Sequence, residues 1–360
     1  MTTRGRFSIG IGEVTGAVAD LGILVPLAAA LVLVNGLSGG MVLVGAGALV
    51  IASGAWSGVS FPVQPLKALT AVAVARKLPA EVIAAAGLII GAVLLALSFG
   101  RLADHLSRLF TVTVVRALQF GVGLLLIVAA VRLGTAPPDV FSAAAPTGAS
   151  PMLWSLPGLP RADAFFTAAV LLVIPQLPLT FGNVVVAVTD VAHRLFGEQA
   201  RTVTPRNVCR SAGIGNIAAA VLGGMPMCHG SSGLTAHHRL GARTAGMSLL
   251  LGGVLIAIGV VFGDQAPALL GQLSPLVLAA LLAYAGLRHA WLVADLRGWR
   301  LVTALAAGAA GAATGNLLIT MLAAMAVTGV MAARHRPRPP PSTGGERDRA
   351  AVAPSPSRTP

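Results

Sequence analysis

The sequence predicts an all-α polytopic membrane protein with about 12 membrane segments, arranged as two inverted repeats with discontinuous half-helices. First, the 360-residue chain is 56% apolar and only 10% charged, with a mean hydropathy of +0.84. Second, apolar runs recur almost from end to end. Third, polar breaks at Pro62 and Pro226 interrupt these runs in matching places. These observations exclude a soluble domain.

The predicted segments divide into a first repeat at 12–163 and a second at 164–333. Residues 1–11 precede them, and the Arg- and Pro-rich residues 334–360 are predicted to form a disordered tail. The first apolar run shows no small-residue cleavage site, so we expect a retained span rather than a signal peptide. The segments lie at about 12–35, 38–58, 61–77, 81–99, 112–132, 164–192, 207–224, 225–240, 244–263, 268–290, 298–314 and 316–333.

The net charge of +13 would favour a nucleic-acid partner in a soluble protein. Here the basic residues cluster in short segments between apolar runs and in the tail, a placement that sets orientation in membrane proteins. It predicts a plasma-membrane protein with both termini in the cytoplasm, in contact with lipid and with no nucleic acid. Only Arg76 and Lys77 fall on the unfavoured side.

The first polar break contains Pro62, Gln64, Pro65 and Lys67. Proline lacks an N–H and fixes φ, which favours a helix start over a helix interior. Free N–H groups of a helix start at membrane depth require protein, water or a ligand as a partner. Lys67 in the first turn opposes the helix dipole unless a negative group lies nearby, or unless its side chain extends to the membrane interface. We therefore predict half of an anion site here.

The second break contains Gly230, Ser231 and Ser232, where small residues let the backbone approach a ligand and hydroxyls can donate or cap the next half-helix. Two helix N-termini of about +0.5 charge each, together with Lys67, give roughly +2. That charge matches a tetrahedral dianion. The alternative is a simple loop between two spans.

Two further groups of polar residues are predicted to line helix faces. In the first span, Glu13 and Asp20 share a face and are candidate proton carriers or partners of Lys67, although Glu13 could instead lie at the membrane interface. In the sixth segment, the spacing of Gln176, Thr180 and Asn183 predicts three substrate-binding side chains on one face, in a helix distorted by its prolines.

A metal site is the main alternative from another class of function. Cys228, His229, His237 and His238 could form an intramembrane metalloenzyme, but their spacing matches no established zinc pattern and the last two abut a cluster of arginines. No Walker, G-x-S-x-G or H-E-x-x-H motif is present. We therefore expect no metal, no cofactor and no enzymatic activity.

Three motifs in order are similar to those of the molybdate transporter family, which is distantly related to the SulP sulfate permeases. The resemblance covers about 12 to 330, while Ala19 and Ile23 stand where Gly and Thr are expected around Asp20. No STAS domain follows the last predicted span, which favours the molybdate branch. The motifs are Pro62–Ala68, Pro175–Asn183 and Met225–Gly230, with Asp20–Pro26 and Leu240–Arg243 as supporting segments.

The resemblance implies a SulP/uracil-permease-like transporter in which a core domain moves against a gate domain. It also implies uptake of molybdate, or of sulfate or tungstate, bound between half-helix starts at Pro65 and Gly230. Asp20 and His229 are then the leading candidates for proton coupling, and a homodimer is one possible assembly. The main alternative is a SulP-like carrier of sulfate, a carboxylate or a nucleobase. We expect Gln64, Lys67, Thr180, Asn183, Ser231 and Ser232 to supply donors to the anion.

Overall fold

The computed structural model describes residues 7–99, 111–137, 158–265 and 272–334, together with 141, 268 and 269. These residues are mostly helical, as predicted. The predicted tail from 335 onward and most of the connection at 133–163 lie outside the described residues. The first half contains α1 (Ile11–Asn35), α2 (Gly39–Ser57), β1 (Gln64–Pro65), α3 (Lys67–Arg76), α4 (Ala80–Leu97) and α5 (Val112–Thr135).

The second half begins with one distorted helical stretch and continues as a series of separate helices. Its regular elements are α6 (Ala162–Ala168), α7 (Ile174–Leu179), α8 (Ala187–Phe196), α9 (Pro205–Leu222), β2 (Met227–Cys228), α10 (Ser231–Arg239), α11 (Gly246–Phe262), α12 (Pro275–Ala290), α13 (Gly298–Thr314) and α14 (Leu317–Arg334). Two π-helical segments, Ala169–Val173 and Thr180–Val186, join α6 to α7 and α7 to α8. They flank Pro175 and Pro178, so the distortion predicted from the prolines is present.

Many of these helices suit a membrane. Among the described residues, six helical segments are long and apolar enough to cross one, and Gly246–Phe262 and Leu317–Ala333 are shorter apolar helices. Large apolar side chains such as Val254, Val277 and Leu322 are exposed on the outside of the protein. Such a surface is stable in lipid and not in water, which fits the predicted multi-pass fold.

The helices pack into two groups. Helices α1 to α4 pack with α9, α10 and α11, while α5 packs with α12, α13 and α14. Glycines allow the closest approaches: a Cβ added to Gly91 would lie 2.8 Å from the Gly213 carbonyl oxygen, and one added to Gly123 would lie 2.6 Å from that of Gly286. We call the first group the core and the second the gate.

Arg76 connects the two groups at one end of the protein. At the end of α3, its Nε and Nη2 donate to the carbonyl oxygens of Gly315 and Thr314, over 2.7 Å and 2.8 Å. These carbonyls end α13, where a positive charge is favourable. This contact explains why Arg76 departs from the charge pattern of the other loops.

Candidate functional site

The two polar breaks meet at the centre of the core. β1 and β2 pair antiparallel, with Gln64 opposite Cys228 and Pro65 opposite Met227. The buried Asn216 of α9 holds β2, because its Oδ1 accepts from the Met227 N–H over 2.9 Å and its Nδ2 donates to the Met227 carbonyl over 2.8 Å. The crossing therefore brings the start of α3 next to the start of α10.

Both helix starts lie without a side-chain cap. The residues before α3 and α10, Leu66 and Gly230, carry extended backbone and make no side-chain cap. Helix α3 begins at Lys67 and not at the predicted Pro65, because Pro65 belongs to the strand pair. Ser231 lies inside the first turn of α10, so it does not cap that helix. The Leu69 N–H of α3 donates to Gln176, so the N–H groups available to a ligand are those of the first two residues of each helix, which line the cavity described below.

A cavity of about 300 Å³ lies at these helix starts, between core and gate. Five of the predicted substrate-binding residues line it, whereas Gln64, Pro65 and Thr180 lie behind its wall. The side chain of Asn183 lies outside the described residues. The predicted residues that line the cavity are Lys67, Gln176, Gly230, Ser231 and Ser232.

Lys67 begins a chain of hydrogen bonds that leads away from the cavity. Its Nζ donates to Gln64 Oε1 over 2.8 Å, and Gln64 Nε2 donates to Asp20 Oδ1 over 2.8 Å. Because an ammonium only donates and a carboxylate accepts, these partners fix the orientation of the Gln64 amide. Gln64 therefore links Lys67 to Asp20 in this structure, and it is not among the residues that line the cavity.

Asp20 ends this chain against a histidine that was not among the predicted site residues. Asp20 and His237 are both buried, and His237 Nε2 lies 3.0 Å from Asp20 Oδ2. The other ring nitrogen, Nδ1, lies 3.2 Å from the Ser60 carbonyl oxygen and so must donate its proton there. Neither Asp20 Oδ2 nor His237 Nε2 makes a hydrogen bond within the described residues, so the two side chains face each other as a close, buried acid–histidine pair.

His229 has a different environment from His237, although it lines the cavity. Its Nδ1 lies 3.0 Å from the Pro62 carbonyl oxygen, and its Nε2 lies 3.1 Å from Ser211 Oγ. The carbonyl accepts a proton from Nδ1, which leaves Nε2 to accept from the hydroxyl. A neutral His229 satisfies both contacts, and neither ring nitrogen is left for a metal.

Glu13 also has a well-defined position, away from the cavity. It is buried, and its Oε1 accepts from the N–H groups of Arg243 and Thr244, while its Oε2 accepts from that of Met247. These amides precede and open α11, so Glu13 stabilises the start of that helix.

Gln176 lines the cavity and also supports the start of α3. Its Oε1 accepts from the Leu69 N–H over 3.1 Å, and its Nε2 donates to Thr180 Oγ1 over 3.2 Å. The predicted face of α7 and the following π-helical segment therefore turns toward the start of α3. Thr180 orients Gln176 through this bond and is not among the residues that line the cavity.

The gate contributes residues that the sequence reasoning missed. Arg116 and Gln119 of α5 and His289 of α12 line the cavity opposite the helix starts. Arg116 lies four residues inside an apolar helix, and an ionisable residue in such a helix is itself a signal of function. Cys228 also lines the cavity, from β2.

Gly233 packs closely against the hydrogen-bonded side chains that connect Lys67 to Asp20. A Cβ added there would lie 2.6 Å from Gln64 Nε2, 2.8 Å from Pro62 Cβ and 3.3 Å from Asp20 Oδ1. Gly233→Ala is expected to destabilise the protein by about 1–3 kcal/mol through overpacking and to separate Gln64 from Asp20. Thermal unfolding of the purified protein, followed by uptake assays in liposomes, measures both effects.

The matched control is Gly253→Ala in α11, where an added Cβ meets nothing within 4 Å. That change is expected to leave stability unchanged or to raise it by about 0.5–1 kcal/mol, since alanine favours helix over glycine. Equal unfolding temperatures for the two variants would contradict the close packing at Gly233.

Comparison with known proteins shows which family and which fold this chain resembles. The family described as “Molybdate transporter of MFS superfamily” matches residues 12–126 and 168–288. The transmembrane domain of the cyanobacterial bicarbonate transporter BicA has a similar structure, with a TM-score of 0.63 over 86% of this chain and 97% of that one. At 16% sequence identity this likeness concerns the fold, and it confirms the predicted SulP-type architecture.

Curated relatives agree with the family match. Molybdate transporter 1 of Arabidopsis thaliana is 26% identical over 79% of this chain and 80% of its own length, and molybdate transporter 2 of the same plant is 26% identical over 79% of each chain. Molybdate transporter 1 of Chlamydomonas reinhardtii is 38% identical over 41% of this chain and 31% of its own length. This multi-pass membrane anion transporter therefore belongs to the molybdate transporter family.

Proposed function

We propose that the chain is a secondary active transporter that imports molybdate across the plasma membrane, with sulfate and tungstate as related oxyanions. The observation that carries this proposal is the pairing of β1 with β2, which puts Lys67 and the starts of α3 and α10 on one cavity. The helix starts add about +0.5 charge each to the +1 of Lys67, so the cavity offers roughly +2 to a dianion.

The donors at the cavity also suit a tetrahedral oxyanion. The backbone N–H groups of both helix starts, the hydroxyls of Ser231 and Ser232, and the Lys67 ammonium converge there. The volume of about 300 Å³ is at the lower end of small-molecule sites, which typically measure about 300–1,000 Å³. A compact anion with some of its water fits this space better than a nucleobase with its apolar ring faces.

The position of the cavity supports transport rather than binding alone. Core residues such as Lys67 and Ser231 form one wall, and the gate residues Arg116 and His289 form the other. Movement of one group of helices against the other would expose the anion to either side of the membrane in turn. A proton carried at Asp20 is our candidate for the coupling ion, because the Gln64 amide connects Asp20 to Lys67 and His237 Nε2 lies 3.0 Å from its Oδ2.

Uptake by the purified protein in liposomes tests this function. We expect molybdate to accumulate at low concentration, faster with an acidic exterior than without a pH gradient, and with only modest inhibition by excess sulfate. Complete inhibition by sulfate would instead favour a sulfate carrier. Absence of molybdate uptake at low concentration would overturn the proposal.

A further inference from the structure

Arg116 is the one gate residue at the cavity that carries a full positive charge in the described structure. It lines the cavity opposite Lys67 and the first turn of α10. Its guanidinium is held by Asp295, which lies on the short 3₁₀ segment Trp291–Asp295 after α12. Nε lies 3.0 Å from Asp295 Oδ1 and 2.9 Å from Oδ2, and Nη2 also contacts Oδ2. A carboxylate therefore occupies one edge of the guanidinium.

The other edge of the guanidinium is held by a neutral partner. Nη1 of Arg116 donates to Oε1 of the buried Gln119 over 2.9 Å. Gln119 lies one turn further along α5 and also lines the cavity. This bond directs the guanidinium toward the cavity without neutralising its charge.

The pair with Asp295 is the restraint that water can reach. The side chain of Asp295 is 49% exposed, against 23% for that of Arg116. The bidentate geometry makes this a well-formed pair, but because Asp295 is half exposed, its carboxylate can be hydrated again when another anion takes its place on the guanidinium. A tetrahedral oxyanion also presents two neighbouring oxygens to one edge of a guanidinium, and arginine binds both carboxylates and such anions bidentately.

We propose that Arg116 is the gate's own ligand for the oxyanion, and that Asp295 holds its guanidinium until the anion takes its place. This inference rests on the proposed function. The exchange joins gate to core through the anion, because Lys67 and the helix starts bind it from the other side. Asp295 acts as an internal competitor, so it sets the affinity for the anion.

Molybdate binding by purified variants, measured by calorimetry at one pH and ionic strength, tests the exchange. Asp295→Asn is expected to lower the Kd about 3- to 10-fold, because the carboxylate no longer competes. Arg116→Gln is expected to raise the Kd about 10-fold or more. The double variant is expected to match Arg116→Gln, since the gain from Asp295→Asn requires the guanidinium. Asp163→Asn, which breaks an exposed ion pair with Arg161, is the control and should leave the Kd unchanged.

The outcomes separate this inference from the proposed function. The wild-type protein could bind molybdate while Asp295→Asn leaves the Kd unchanged or raises it. In that case the ion pair only holds α5 to the end of α12, and the proposed exchange of Asp295 for the anion is wrong. A gain that persists in the double variant would also overturn it. If wild-type protein binds none of molybdate, sulfate and tungstate, the proposed function fails and the exchange fails with it.

Discussion

Lys67→Ala is expected to weaken molybdate binding roughly 30- to 5,000-fold, which corresponds to about 2–5 kcal/mol for removing one partner from a buried charge pair. The ammonium lies at the cavity beside the start of α10: a Cβ added to Gly230 would lie 3.9 Å from Lys67 Nζ. Without it the anion keeps the helix starts, the hydroxyls and, in our proposal, Arg116. Calorimetry on purified protein measures the Kd, and size-exclusion chromatography confirms that the variant folds.

Lys77→Ala is the matched control for this prediction. Lys77 follows the other end of α3, is exposed and has no place in the cavity lining. Removing it changes the net charge by the same amount, so the affinity should stay within about twofold if only local charge matters. Equal losses in the two variants would indicate a general effect of charge, and unchanged affinity in Lys67→Ala would refute the role of that residue.

The polar breaks could be predicted from the sequence because their causes are local. Proline restricts the backbone and glycine frees it wherever these residues stand. The residues around Pro62 and Pro226 therefore predict interrupted helices. The register of β1 against β2 could not be predicted in this way, because it depends on how the two halves of the chain meet. Since Pro65 belongs to this strand pair, α3 begins at Lys67 and not at the predicted Pro65.

The partners of the polar residues were harder to predict, because they lie on distant elements. The sequence placed His237 beside surface arginines, yet this residue is buried against Asp20. Gly230, Gly233 and His237 are spaced at i, i+3 and i+7, and this spacing could have indicated that α10 turns His237 toward a closely packed neighbour. Arg116 was likewise visible as a charge in an apolar span, but its partner Asp295 could not be read from local sequence.

Asp20→Asn is expected to keep molybdate binding within a few-fold and to abolish the stimulation of uptake by a pH gradient. Asparagine has the shape of protonated aspartic acid. Its Oδ1 can accept from Gln64 Nε2, and its Nδ2 can donate to Nε2 of a neutral His237. The contacts therefore persist, but the side chain can no longer take up or release a proton. Uptake into liposomes with and without the gradient, together with the Kd, measures the two effects separately.

Glu13→Gln provides the comparison on the same helix. Both carboxylates lie in α1 and are buried, but Glu13 accepts only backbone N–H groups near the start of α11 and has no link to Lys67. We expect this variant to unfold at a lower temperature and to keep the stimulation by the gradient. Stimulation retained in Asp20→Asn but lost in Glu13→Gln would move the proton site to Glu13. Loss of binding in Asp20→Asn would show instead that the Asp20 charge supports the anion site itself.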